Sequence, residues 1–150
     1  MGAYLGRETP YPMNPVIRNM LALVAGLIVC VFVNGLLIGM SASAVPPPEG
    51  VDVNEMESIR ANIHRFELKH FLFPFLAHAL GSLVGAIVAA KLAATHKMAF
   101  AVTVGCVHLL GGIAAAVMIP APTWFIVLDL AVAYVPMGWL GGKLVTRGGQ

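Results

Sequence analysis

Four stretches of this chain are each long and apolar enough to cross a bilayer, and that feature limits the fold more than any other. They run over about residues 16–40, 71–94, 99–119 and 124–144. A membrane helix needs about 20 mostly apolar residues. No strand pattern is present. The expected fold is therefore an all-α membrane protein: an antiparallel up-down four-transmembrane-helix bundle, one domain over residues 1–150. Composition agrees, with 59% hydrophobic and 11% charged residues. An average soluble domain carries about 25% charged residues.

The first stretch is not read as a signal peptide. Ala42-Ser43-Ala44 resembles a small-residue cleavage site, but the apolar run before it is far longer than the roughly 7–15 residues of a signal core. It is expected to be a retained span.

Lys and Arg set the expected orientation, because they favour the cytoplasmic side. One side holds Arg7, Arg18, Lys91, Lys97, Lys143 and Arg147; the other holds Arg60, Arg65 and Lys69. That places both termini and the Thr95-His96 turn of this multi-pass chain in the cytoplasm. The loop 41–69 and the turn Pro120-Ala121-Pro122-Thr123 then face outward. Trp124 and Trp139 fall near opposite ends of the fourth span, where indole rings prefer the interface.

The outer loop has its own pattern. Pro46, Pro47 and Pro48 predict a stiff extended stretch. Asp52 and Glu55 have capping-box spacing, and Met56, Ile59, Ile63 and Phe66 then recur at helical spacing. Together they predict a short amphipathic helix in the first outer loop, lying on the membrane surface or over the bundle mouth. Its acids read as a solvated face, with a cation-attracting vestibule as the functional alternative.

Small residues predict where helices meet, since association in lipid relies on close packing. Ala77, Gly81, Gly85 and Ala89 recur every four residues in the second span. Gly105, Gly111 and Gly112 mark the third. A tight hairpin of these two spans is expected, with a dimer contact through Gly81 and Gly85 as the alternative. Pro74 lies in the second span. Pro136 lies inside the fourth, where it deprives the Val132 carbonyl of its donor and predicts a kink.

Few polar side chains lie deep: Asn34, His78, Ser82, His108 and Asp129. An ionisable group at such depth is a functional candidate. Counting along each helix from the turns puts His78 roughly 8 Å outward of His108, and Asp129 roughly 7 Å outward of it. His78 and Asp129 are therefore expected to meet, directly or through water, with Asn34 nearby. A lone Asp in hydrocarbon is costly and needs a partner or a proton. His70 lies two turns before His78 and reads first as an interfacial histidine, with an outward extension of the polar line as the alternative.

Three meanings stand open for this cluster. It can pin helix register. It can carry a proton or ion path, since a His beside a carboxylate titrates near neutral pH. It can hold haem or a metal, although the histidine offset opposes bis-histidine haem and His78 with Asp129 supplies too few metal ligands. No cofactor or metal is expected.

Other classes recede. Cys30 and Cys106 lie in separate spans with no CxxC pair, and read as small hydrophobes. The net charge of +2, with no basic cluster, does not suit nucleic acid. GxSxG, HExxH and Walker motifs are absent. The four glycines Gly141, Gly142, Gly148 and Gly149 read as a helix end and tail.

Two segments carry a resemblance: Phe75-Leu76-Ala77-His78-Ala79-Leu80-Gly81-Ser82-Leu83-Val84-Gly85, and Ile119-Pro120-Ala121-Pro122-Thr123-Trp124-Phe125 running on to Asp129. They resemble uncharacterised small four-helix membrane proteins of bacteria, a group with no assigned activity. The resemblance implies the same topology. The leading expectation is a non-enzymatic accessory or structural membrane protein, surrounded by the lipid bilayer as a homo-oligomer or a subunit of a larger complex. A small transporter or channel using the intramembrane His and Asp is second. A haem- or metal-binding electron carrier is third.

Overall fold

The computed structural model describes residues 13–148, and all regular structure among them is helical. Helix α1 spans Pro15–Ala44, α2 Met56–Asn62, α3 Leu68–Leu92, α4 Lys97–Met118, α5 Thr123–Val132 and α6 Val135–Arg147. A single 3-10 turn, Ile63–Arg65, follows α2. Four stretches are long and apolar enough to cross a membrane: α1, α3, α4, and α5 with α6 taken as one. Arg7 and Gly149 lie outside the described residues.

Local chemistry sets the helix ends. Asn14 accepts from the Val16 amide at 2.8 Å, with Pro15 in the first turn of α1. α1 runs on to Ala44, beyond the expected end at Met40. Ser41, Ala42, Ser43 and Ala44 are small enough to continue it. It stops where Pro46 forces Val45 into extended backbone (φ −132°, ψ 93°). α3 begins at Leu68 because Glu67 and His70 form a reciprocal capping box: the Glu67 side chain accepts from the His70 amide, and His70 Nδ1 accepts from the Glu67 amide at 2.8 Å.

The box expected at Asp52 and Glu55 does not form. Asp52 Oδ1 instead accepts from the Asn54 amide at 2.8 Å, and the Asp52 amide donates to Ser58 Oγ at 3.0 Å. This local turn consumes the side chain that a cap would need. Glu55 becomes the N-cap, without a side-chain bond. The amphipathic helix is therefore shorter than the spacing suggested, ending at Asn62 before Ile63 and Phe66.

The fourth stretch is interrupted rather than merely kinked. α5 stops at Val132, Ala133 and Tyr134 bridge the gap, and α6 restarts with Pro136 in its first turn. A proline there needs no amide donor, so the break relocates the loss to a helix start. Tyr134 makes the bend, with non-helical backbone angles (φ −113°, ψ −84°).

The glycine stripes meet partners other than those expected. An added Cβ on Gly85 would lie 2.6 Å from Cys30 Cβ and from the Gly26 carbonyl oxygen, and one on Gly26 would lie 2.7 Å from Ala89 Cβ. Gly81 faces Cys30 and Asn34 in the same way. So Gly81 and Gly85 seat α1 against α3. Gly105 abuts the Tyr134 backbone, and Gly112 lies under the Tyr134 ring. Both serve the junction of α4 with α6. The short α3–α4 turn already tethers those two helices, whereas the pairs lacking a short tether take the closest backbone approach. Gly111 is a correction: it is exposed, and an added Cβ would meet nothing within 4 Å. Ala77, Ala86, Ala89, Ala90 and Ala101 are each at 0% exposure, so the centre is closed by small side chains.

Candidate functional site

Asp129 is buried at 5% exposure, and it is not alone. The Nδ1 of His78 lies 2.9 Å from both its carboxylate oxygens. Tyr134 Oη donates to Oδ2, also at 2.9 Å. An ionised carboxylate only accepts, so Nδ1 of His78 carries the proton of that bond. Three elements meet here: α3 supplies His78, α5 supplies Asp129, and the break between α5 and α6 turns Tyr134 inward.

His108 joins from α4. Its ring centroid lies 6.0 Å from that of His78, nearly perpendicular to it, and its Nδ1 shares a 2.9 Å hydrogen bond with Ser82 Oγ. The axial offset between the two histidine positions is spanned by the side chains. Tyr134 stacks on His78 at 5.3 Å and meets His108 edge-on at 5.1 Å. Gly112 leaves the space that this phenol ring occupies.

Asn34 reaches the level of Gly81, but it does not hydrogen-bond to the pair. Its Oδ1 is buried without a partner among the described residues. His70 sits one step outward, its Nε2 3.1 Å from the Pro46 carbonyl oxygen, and so ties α3 to the proline stretch.

The cluster forms one wall of a cavity of about 420 Å³. His78 and Asp129 lie on it beside apolar groups from α1, α4 and α5. Ile59, Ile63 and Phe66 line it from the linking segment between α1 and α3. Met56, expected on the same face, is 40% exposed and does not line it. Arg60 ties this segment to the bundle by donating from Nε to the Met118 carbonyl, which the end of α4 leaves without a helical donor, and Arg65 closes the segment on itself by donating to the Glu49 carbonyl at 2.8 Å.

Away from the cavity the polar chain stops. Below Ser82 and His108 lie Ala86, Ala89, Ala101 and Val104, all at 0% exposure. Among the described residues no further polar side chain carries the line through this packed layer. At the far end Asn19 accepts from the Ala94 and Thr95 amides at 2.8 and 3.2 Å, and Arg18 Nε donates to the Leu92 carbonyl at 2.9 Å. These bonds clasp the α3–α4 turn to α1.

A serine, two histidines and an aspartate invite comparison with a nucleophilic triad, and the pairing rules it out. Ser82 bonds His108, whereas Asp129 bonds His78, so no histidine links nucleophile to carboxylate. Ser82 is also at 0% exposure. Among the described residues, no group of three His, Cys, Asp or Glu side chains is placed to hold a metal ion.

Sequence reasoning missed Tyr134, Asn19 and the roles of Arg18 and Arg60. Tyrosine is at home in a membrane core or interface, so its hydroxyl drew no attention. Its place two residues before Pro136 was the available signal. No protein-family model, curated protein or solved structure matches the chain.

Proposed function

We propose that the chain is a non-enzymatic, multi-pass protein of the bacterial cell membrane that holds a small amphiphilic ligand in a one-ended cavity within its bundle. The helices cross up and down, the 45–67 segment covers the outer end, and both termini face the cytoplasm. The observation that carries the reading is the His78–Asp129 pair, backed by Tyr134, on the wall of a mostly apolar cavity of about 420 Å³. Ligand pockets of roughly 300–1,000 Å³ combine an apolar lining with a few fixed polar groups in this way. The closed layer of Ala86, Ala89, Ala101 and Val104 favours a blind site over a continuous ion path.

The test is native mass spectrometry of protein extracted gently from its own membrane. A bound small molecule or lipid is expected on the native chain and lost on Ala116→Phe, which fills the cavity. Ala115→Phe serves as a second filler should the first not fold. Identical spectra for native and filled proteins would remove the ligand reading. Proton uptake by proteoliposomes is expected to stay at the protein-free background; uptake that depends on His78 would instead support a transport path.

A second reading is supported by the pairing of Asp129 within the protein. Its two oxygens already have two protein partners, as a purely structural latch in an accessory subunit or homo-oligomer would require. Co-purification of a stoichiometric partner protein, with no small-molecule adduct, is the result that selects it.

A further inference from the structure

We propose that the ligand of this cavity is a lipophilic amine, its ammonium group seated at Asp129 and its chain among the apolar lining. This rests on the ligand-holding reading above and names the class of molecule held.

Charge is the first argument. Among the described residues, Asp129 is the one carboxylate lining the cavity, and no lysine or arginine lines it. Arg60 and Arg65 lie outside the lining, bonded to the Met118 and Glu49 carbonyls. An anionic head group would therefore meet a carboxylate with no compensating cation. A neutral head group would gain hydrogen bonds alone. An ammonium group gains a buried counter-charge, whose attraction in the low-dielectric site offsets the cost of desolvating both charges.

The aromatic lining is the second argument. Phe71 and Phe125 lie with ring centroids 4.8 Å apart on the cavity wall, and Phe66 stands 6.5 Å from Phe71. Aromatic side chains on a cavity wall can receive a cation as well as a hydrocarbon chain. The rest of the lining, including Ile38, Ile59, Ile63 and Ala116, suits a hydrocarbon chain.

Three probes of one chain length test the assignment: decylamine, decanol and decanoate, titrated into the native protein in a fixed detergent and followed by calorimetry. Decylamine is expected to bind more tightly than the other two by about tenfold or more. Asp129→Asn is expected to erase that preference. Equal binding of all three probes, abolished by Ala116→Phe, would overturn the amine assignment and leave the cavity reading intact. No probe binding above the Ala116→Phe background would overturn both. The head-group comparison is made on the native protein, so it does not depend on any variant folding.

Discussion

Two adjacent glycines separate what a residue does from what its type suggests. Gly111 faces open space, whereas Gly112 lies beneath the Tyr134 ring. Gly111→Ala is therefore expected to be neutral or to stabilise by up to about 1 kcal/mol, since alanine is the better helix former. Gly112→Ala must displace the ring and is expected to cost about 1–3 kcal/mol. Thermal unfolding in detergent compares the two. Asn19 makes a similar point at the opposite end. Its side chain receives the Ala94 and Thr95 amides, so Asn19→Ala leaves donors unpaired and is expected to cost roughly 1–3 kcal/mol. An unchanged melting temperature would contradict the clasp. Outside the spans, Glu67 is held below the usual carboxylate range, first by its hydrogen bond to Lys69 and then by the lysine charge. A lowered carboxyl favours the fold above its unfolded pKa and loses that contribution as pH falls through its folded value. Lys69→Met is expected to move the Glu67 titration upward, as followed by NMR.

Among the elements, the break between α5 and α6 does most to build the site. A continuous helix would carry Tyr134 onward in helical register, away from the bend that turns its hydroxyl to Asp129. Pro136 is expected to hold this break in place. Pro136→Ala offers the chain a regular helix across 132–136 and is expected to weaken the Tyr134–Asp129 bond. Tyr134→Phe removes the same bond directly, and is expected to cost about 1–3 kcal/mol by leaving a buried acceptor short of a donor. Double-mutant analysis checks the link: the two changes together should cost less than their sum. Full additivity would mean that the proline acts elsewhere.

At the scale of the whole molecule, the two ends differ in charge and in construction. One end gathers Arg18, Lys91, Lys97, Lys143 and Arg147; the other carries the 45–67 segment with most of the acids. The expected orientation is testable by labelling intact cells with a membrane-impermeant maleimide, in a background with Cys30 and Cys106 replaced by Ala. Glu57→Cys is expected to react, and Lys97→Cys to react only after permeabilisation. The reverse pattern would invert the topology and place the cavity mouth toward the cytoplasm.

Much of this protein was legible from its residue order. Hydropathy over long runs registers how a helix interacts with lipid, which depends on composition rather than on neighbours. The same holds for depth, because helical rise is constant; counting residues from the turns was enough to bring His78 to Asp129. The partner of each face was not legible. A stripe of glycines states that something comes close, and only the assembled bundle decided that α1 lies on Gly81 and Gly85 and that Tyr134 lies over Gly112. The cavity was equally invisible, because an empty volume belongs to no residue. It exists where α1, α4 and α5 part around the outer half of α3 beneath a covering segment, and that separation is a property of packing alone.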